Sequence, residues 1–209
     1  MKAFTRVAGT AIPLIEDDVN TDQIAPMGAG ARMSEDYAQT LFRHRRRHPD
    51  GSEVADFVFN QPQFRTGAIV VSGRNFGCGS SRESAVWTFL AIGVTCIIAR
   101  SFADMYRENC LQNGILPITL PESQADQLQA AVVTANGAAP FTVDLVSQEI
   151  TGPDGLRMTF DISPADRTRL LEGLDDIGLT LKHRADIEAF ETRMAHETPW
   201  SQRADASSL

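Results

Sequence analysis

The residue types in this chain that point to chemistry are gathered in one stretch, SGRNFGCGSSRESAVW, from Ser72 to Trp87. Three glycines, a cysteine, two adjacent serines, two arginines and a glutamate sit there between two apolar runs. Such a composition serves a phosphate cradle, a nucleophile turn, a metal loop or a capped helix start. A dinucleotide fingerprint needs G-x-G-x-x-G; Gly77 and Gly79 match, but Arg82 stands where the third glycine belongs. No lysine follows the glycines as a P-loop requires, and the G-x-S-x-G elbow is absent. The four histidines, His44, His48, His183 and His196, fall in polar helical segments, which argues against a Ser–His dyad.

A plain cap is the structural alternative. Ser80 and Glu83 have the S-x-x-E spacing of a capping box directly before an apolar-periodic helix. Two features go beyond a cap. Three glycines in seven residues let backbone N–H groups converge on a point. Arg82, in the first turn of that expected helix, sits unfavourably beside the positive helix end. A cation kept there points to an anion, such as a carboxylate, held among Ser80, Ser81 and Arg82. The same donors would stabilise an alkoxide on Ser80. Composition does not name the substrate.

The elements that must position this stretch follow from periodicity. RVAGTAIPLI reads as an opening strand, and EDDVNTDQIAPMGAGAR as a polar loop. SEDYAQTLFRHRRR reads as a helix capped by Ser34, with the basic RHRRRH at its solvated end. Ala68–Ser72 and Val94–Ala99 are continuous apolar runs, hence buried strands, and the helix between them stops at Gly93. Strand, glycine loop, helix and strand make a βαβ unit with parallel strands. The pattern repeats with a helix capped by Ser101 and ended by Gly114, the strand ILPITL, and a helix led by Pro121. FTVDLVSQEIT and RMTFDI alternate around GPDG as a hairpin, and the chain ends in helices. The expected fold is α/β, a mixed sheet with flanking helices, as one domain over residues 1–197 with a flexible tail at 198–209.

Bulk properties narrow the partners. A net charge of −8 over 209 residues argues against a nucleic-acid surface. No apolar leader or membrane-length run is present. Cys78, Cys96 and Cys110 are too few and too widely spaced for a disulfide framework or a metal knuckle, which fits a reducing cytoplasm.

NFGCGSSRESA resembles the G-x-G-S-S-R-E-x-A signature of the swivelling β/β/α domain of the aconitase superfamily. VNTDQIAP is similar to its T-D-x-I motif, and FADMYRENCLQNGILPITL to its F-A-x(5)-N-x(4)-G-x-L-P segment. GLDDIGLTL is similar to the C-terminal motif of the stand-alone small subunits of 3-isopropylmalate dehydratase. The resemblance implies a two-chain hydro-lyase whose large subunit holds a [4Fe–4S] cluster on its own cysteines, one iron acting as a Lewis acid. Carried over by position, Ser80 would be the alkoxide base, with Ser81 and Arg82 holding a substrate carboxylate. Thr21 and Asp22 would lie at the substrate, and Arg32 near it. The chain itself would bind no cluster, only the large subunit and a small 2-hydroxy dicarboxylate.

Two positions depart from the pattern. Ser84 stands where histidine is common, and MGAGARM after IAP offers little apolar surface where an isopropyl group would bury about 2 kcal/mol. A methylmalate, dimethylmalate, homocitrate or citrate-type substrate is therefore an alternative, as is a non-catalytic carboxylate-binding module.

Overall fold

The computed structural model describes residues 1–26, 37–198 and 200. The chain divides into two compact units, Met1–Gly173 and Leu174–Leu209.

Among its described residues the first unit carries eight strands in two sheets. Strands β2 (Ala11–Leu14), β3 (Ile69–Ser72), β4 (Cys96–Ala99) and β5 (Leu116–Thr119) form an all-parallel sheet in the order β2-β3-β4-β5. Strands β1 (Arg6–Gly9), β6 (Phe141–Asp144), β7 (Glu149–Thr151) and β8 (Arg157–Thr159) form an antiparallel sheet in the order β1-β6-β7-β8. The α/β class stands, but the mixed sheet expected from the sequence resolves into two sheets. The opening RVAGTAIPLI accounts for part of this, because it breaks at Thr10 and sends one half to each. A period-2 pattern cannot register such a transfer. FTVDLVSQEIT likewise folds back on itself, so GPDG joins the second and third strands of a meander.

The helices are α1 (Thr21–Ile24), α2 (Tyr37–Thr40), α3 (Arg43–Arg46), α4 (Ser84–Ala91), α5 (Asp104–Asn113), α6 (Glu122–Ala135) and α7 (Pro164–Glu172). Parallel strands read as continuous apolar runs because both faces are covered. Ile69, Val71, Cys96 and Ile98 enter one core, shared with Leu128 and Val132 of α6 and with Val143, Ile150 and Met158 of the antiparallel sheet. Val70, Ile97 and Ala99 point to the other, shared with Phe76, Val86, Phe89, Tyr106 and Cys110 around α4 and α5.

Several cap readings change. The helix expected from Ser34 is interrupted at Phe42, whose φ of +47° ends one short helix before the next begins; Ser34 itself lies outside the described residues. Phe42 is fully buried against Phe59 and Phe89, so packing overrides helical continuity. Ser101 does not cap α5, which starts at Asp104. Its hydroxyl accepts from the Asn75 N–H at 2.8 Å instead. Gly93 and Gly114 do end their helices, with φ of +87° and +83°.

The second unit holds α8 (Asp176–Leu181), capped by the Asp175 side chain on the Gly178 N–H (2.7 Å), and α9 (Arg184–Glu197). Most of the expected tail, residues 199 and 201–209, lies outside the described residues.

Candidate active site

The loops leaving β2, β3 and β4 at their C-terminal ends meet at one place, the position where open parallel sheets bind ligands. The loop after β3 is held to the loop after β2 by an alternating ladder. The Gly77 N–H donates to the Val19 carbonyl (2.8 Å), and the Thr21 N–H to the Cys78 carbonyl (2.9 Å). The Thr21 hydroxyl donates to the Ser80 carbonyl (2.8 Å). The loop after β4 closes the other side: Phe76 N–H donates to the Ser101 carbonyl and Ala103 N–H to the Phe76 carbonyl, both at 3.0 Å.

Glycines are required where this ladder turns. Gly77 has φ +76°, and a Cβ on it would lie 2.0 Å from Cγ of the buried Tyr106 ring. Gly79 has φ +92° and faces the Thr21 hydroxyl. The chain therefore reaches Ser80 on a course set by Val19–Thr21 beneath it and Tyr106 beside it.

Helix α4 begins only at Ser84, with Glu83 as an N-cap that makes no side-chain cap bond. The capping box read from Ser80 and Glu83 does not form, because the ladder holds Ser80 outside the helix. A capping box exists one loop away: the Asn20 side chain accepts from the Gln23 N–H (2.8 Å) and Gln23 accepts in return from the Asn20 N–H (3.1 Å). Glu83 accepts from the Asn113 amide of α5 (2.8 Å), whose oxygen accepts from the Trp87 indole (3.0 Å), tying the start of α4 to α5.

Freed from capping, Ser80 and Ser81 are exposed. The N–H groups of Ser80, Ser81 and Arg82 donate to no described residue. Arg82 is only 19% exposed in its side chain and anchored by one nitrogen, Nη1, to Asp22 (2.5 Å) and to the Ala25 carbonyl (3.4 Å). Nε and Nη2 donate to no described residue, which leaves an edge of the guanidinium fork for a carboxylate. Ser80, Ser81, Arg82, Gly77 and Gly79 line one small cleft, floored by Thr21 and walled by Ala103, Met105 and Tyr106. The last three escaped the sequence reading; the F-A-x(5)-N segment that contains them was the available signal.

The sequence-derived site residues thus divide. Ser80, Ser81, Arg82 and Asp22 come together with accessible polar atoms. Thr21 is nearby but buried, its hydroxyl turned to Ser80 rather than outward. Arg32 and the Met27–Met33 loop lie outside the described residues. The histidines are all exposed and on other segments. A wider cleft of about 580 Å³ opens beyond β3–β5, lined by Arg74 and Arg100, but these arginines are already paired with Glu122 and Asp126.

Cys78 flanks the serines. Burial pushes its thiol above the usual range and Asp18 adds to the effect, so it is a neutral thiol at pH 7. Cys96 and Cys110 are sealed in the core, where burial raises both thiols. Among the described residues no three His, Cys, Asp or Glu side chains converge to hold a metal. An iron–sulfur cluster therefore does not fit on the described part of this chain.

The part of the chain that presents these serines beside the anchored arginine is of the aconitase C-terminal class. The family model described as the aconitase C-terminal domain matches residues 1–123. A second, described as the C-terminal domain of the 3-isopropylmalate dehydratase small subunit, matches residues 176–204. The chain is 46% identical to the 3-isopropylmalate dehydratase small subunit of Rhodospirillum centenum, over 96% of this chain and 99% of that one. It is 43% identical to that of Parvibaculum lavamentivorans, over 96% and 100%. A solved structure of 3-isopropylmalate dehydratase from Methanocaldococcus jannaschii is similar at a TM-score of 0.59 and 25% identity, covering 89% of this chain and 99% of that one. The chain belongs to the 3-isopropylmalate dehydratase small-subunit family.

Proposed function

We propose that this chain is the small subunit of a two-chain hydro-lyase interconverting 2- and 3-isopropylmalate in leucine biosynthesis, with Ser80 as its base. The observation that carries the base assignment is the exposed Ser80 hydroxyl beside N–H groups that donate to no described residue and the open edge of Arg82. A proton α to a carboxylate is hard to remove, so the base must be strong and the developing charge must be held. The N–H groups of Ser81 and Arg82 and the guanidinium supply that field. Arg82 takes a substrate carboxylate on Nε and Nη2, with Ser81 contributing its N–H and hydroxyl. As an alkoxide, Ser80 accepts the proton from the carbon α to one carboxylate while hydroxide leaves the adjacent carbon and a C=C bond forms. In rehydration Ser80 returns the proton to the carbon that lost hydroxide, and hydroxide adds to the carbon that lost the proton.

The [4Fe–4S] cluster is assigned to the large subunit, since the described residues here do not fit one. Among the described residues no helix is long and apolar enough to cross a membrane, and three free cysteines accord with a cytoplasmic setting.

The test is reconstitution with the cognate large chain. The isolated small chain is expected to be inactive, and mixing restores turnover. Ser80→Ala is expected to assemble normally and lose about 10²- to 10⁴-fold in kcat; full turnover by that variant would sink the base assignment. A panel of 2-alkylmalates, citrate and homocitrate then tests the isopropyl preference against the small-residue loop.

A further inference from the structure

We propose that Thr21 is a positioning residue for Ser80, acting through the main chain and touching neither substrate nor proton. This rests on Ser80 as the base. Thr21 is 1% exposed at the base of the cleft, and the proton of its hydroxyl is already given to the Ser80 carbonyl. That hydroxyl and its own N–H bond to alternate carbonyls of the glycine loop, Ser80 at 2.8 Å and Cys78 at 2.9 Å. Between them lies Gly79, at φ +92°, a residue with no side chain to restrain its dihedrals. Beyond Ser80 the helix does not begin until Ser84. Among the described residues, the Thr21 hydroxyl makes the hydrogen bond that fixes the Ser80 peptide. The same peptide plane carries the Ser81 N–H, because the Ser80 carbonyl and the Ser81 nitrogen share it. Holding that carbonyl down therefore aims the Ser81 N–H up, toward the cleft. One buried hydroxyl sets both the direction of the base and one donor of the field that stabilises it.

The rigidity has a source. Thr21 opens α1, whose first turn is closed by the reciprocal Asn20–Gln23 capping bonds. Ile24 of the same turn is fully buried. The hydroxyl is thus mounted on a packed, capped turn rather than on a free loop.

The experiment compares Thr21→Val, which keeps the branched shape and removes the donor, with Thr21→Ser, which restores it. In the reconstituted two-chain enzyme, Thr21→Val is expected to lower kcat about 10- to 100-fold with KM within about threefold, as a small misplacement of a reacting group does. Thr21→Ser is expected to return kcat to within about threefold of the parent. In the isolated chain, amide hydrogen exchange at Gly77 and at residue 21, whose N–H groups are bonded in the ladder, should accelerate in Thr21→Val and recover in Thr21→Ser. In the Ser80→Ala background, Thr21→Val should cost little more, since residues that act as a unit are non-additive. An unchanged kcat in Thr21→Val, a KM rise without a kcat loss, or a failure of Thr21→Ser to rescue would overturn the proposal. A fully active Ser80→Ala would instead remove the base assignment; unchanged exchange in Thr21→Val would refute the positioning role independently of it.

Discussion

At the scale of single residues, Arg82 is held in a way that suits the carboxylate-binding role proposed for it. One nitrogen is tethered to Asp22 and the Ala25 carbonyl while the remaining donors face no described partner. Asp22 is 57% exposed in its side chain, so the pair contributes little to folding, at most about 1 kcal/mol. Its value lies in orientation. Asp22→Ala is expected to leave the urea midpoint of the isolated chain nearly unchanged. In the reconstituted enzyme it should raise KM for the diacid several-fold, because the untethered guanidinium must be ordered by each substrate molecule. A large loss of stability with unchanged KM would reverse that assignment.

At the scale of elements, the glycine loop and α5 are shaped to each other. The Tyr106 ring occupies the space a side chain at Gly77 would need. Gly77→Ala combines a strained positive φ with that overlap and is expected to destabilise by about 3 kcal/mol or more. Its signature is a lowered urea midpoint together with loss of turnover after mixing with the large chain. Much of this arrangement was legible in the sequence. The apolar runs at Ala68–Ser72 and Val94–Ala99 identify the parallel strands, because burial on both faces erases polar alternation. The GxGSSR spacing singles out the loop that carries the candidate site. What was not legible depends on partners distant in sequence. Ser80 looks like a cap because S-x-x-E is a local pattern, and it fails to cap because Thr21, 59 residues earlier, holds its carbonyl. Ser101 fails for the same kind of reason, its hydroxyl being engaged by Asn75. The break at Phe42 is set by a buried aromatic cluster that no short window contains.

At the scale of the whole molecule, the buried titratable groups set an alkaline limit. Burial raises Cys96, Cys110 and Tyr106 above their usual ranges, with Cys110 adding to the effect on Tyr106. A group whose folded pKa is raised holds its proton while the unfolded chain releases it. The stability tied to these groups is full below the ordinary thiol value, about 8.5, and is lost as pH rises beyond it. Each thiol contributes about 1.4 kcal/mol of loss per pH unit above that value. Urea midpoints measured from pH 7 to 10.5 should be level at first and then fall, and Cys96→Val should shallow the fall. A flat profile through pH 10.5 would contradict the burial of these groups. The same two-faced sheet has an evolutionary consequence. The loops of the site rest on the aromatic side of the parallel strands, with Phe76, Phe89 and Tyr106, while the antiparallel sheet and α6 pack on the opposite side. Volume-conserving redesign on the α6 side can therefore tune thermal tolerance without touching the loops of the site. On the aromatic side, the positive φ of Gly77 keeps that position glycine whatever stands at Tyr106.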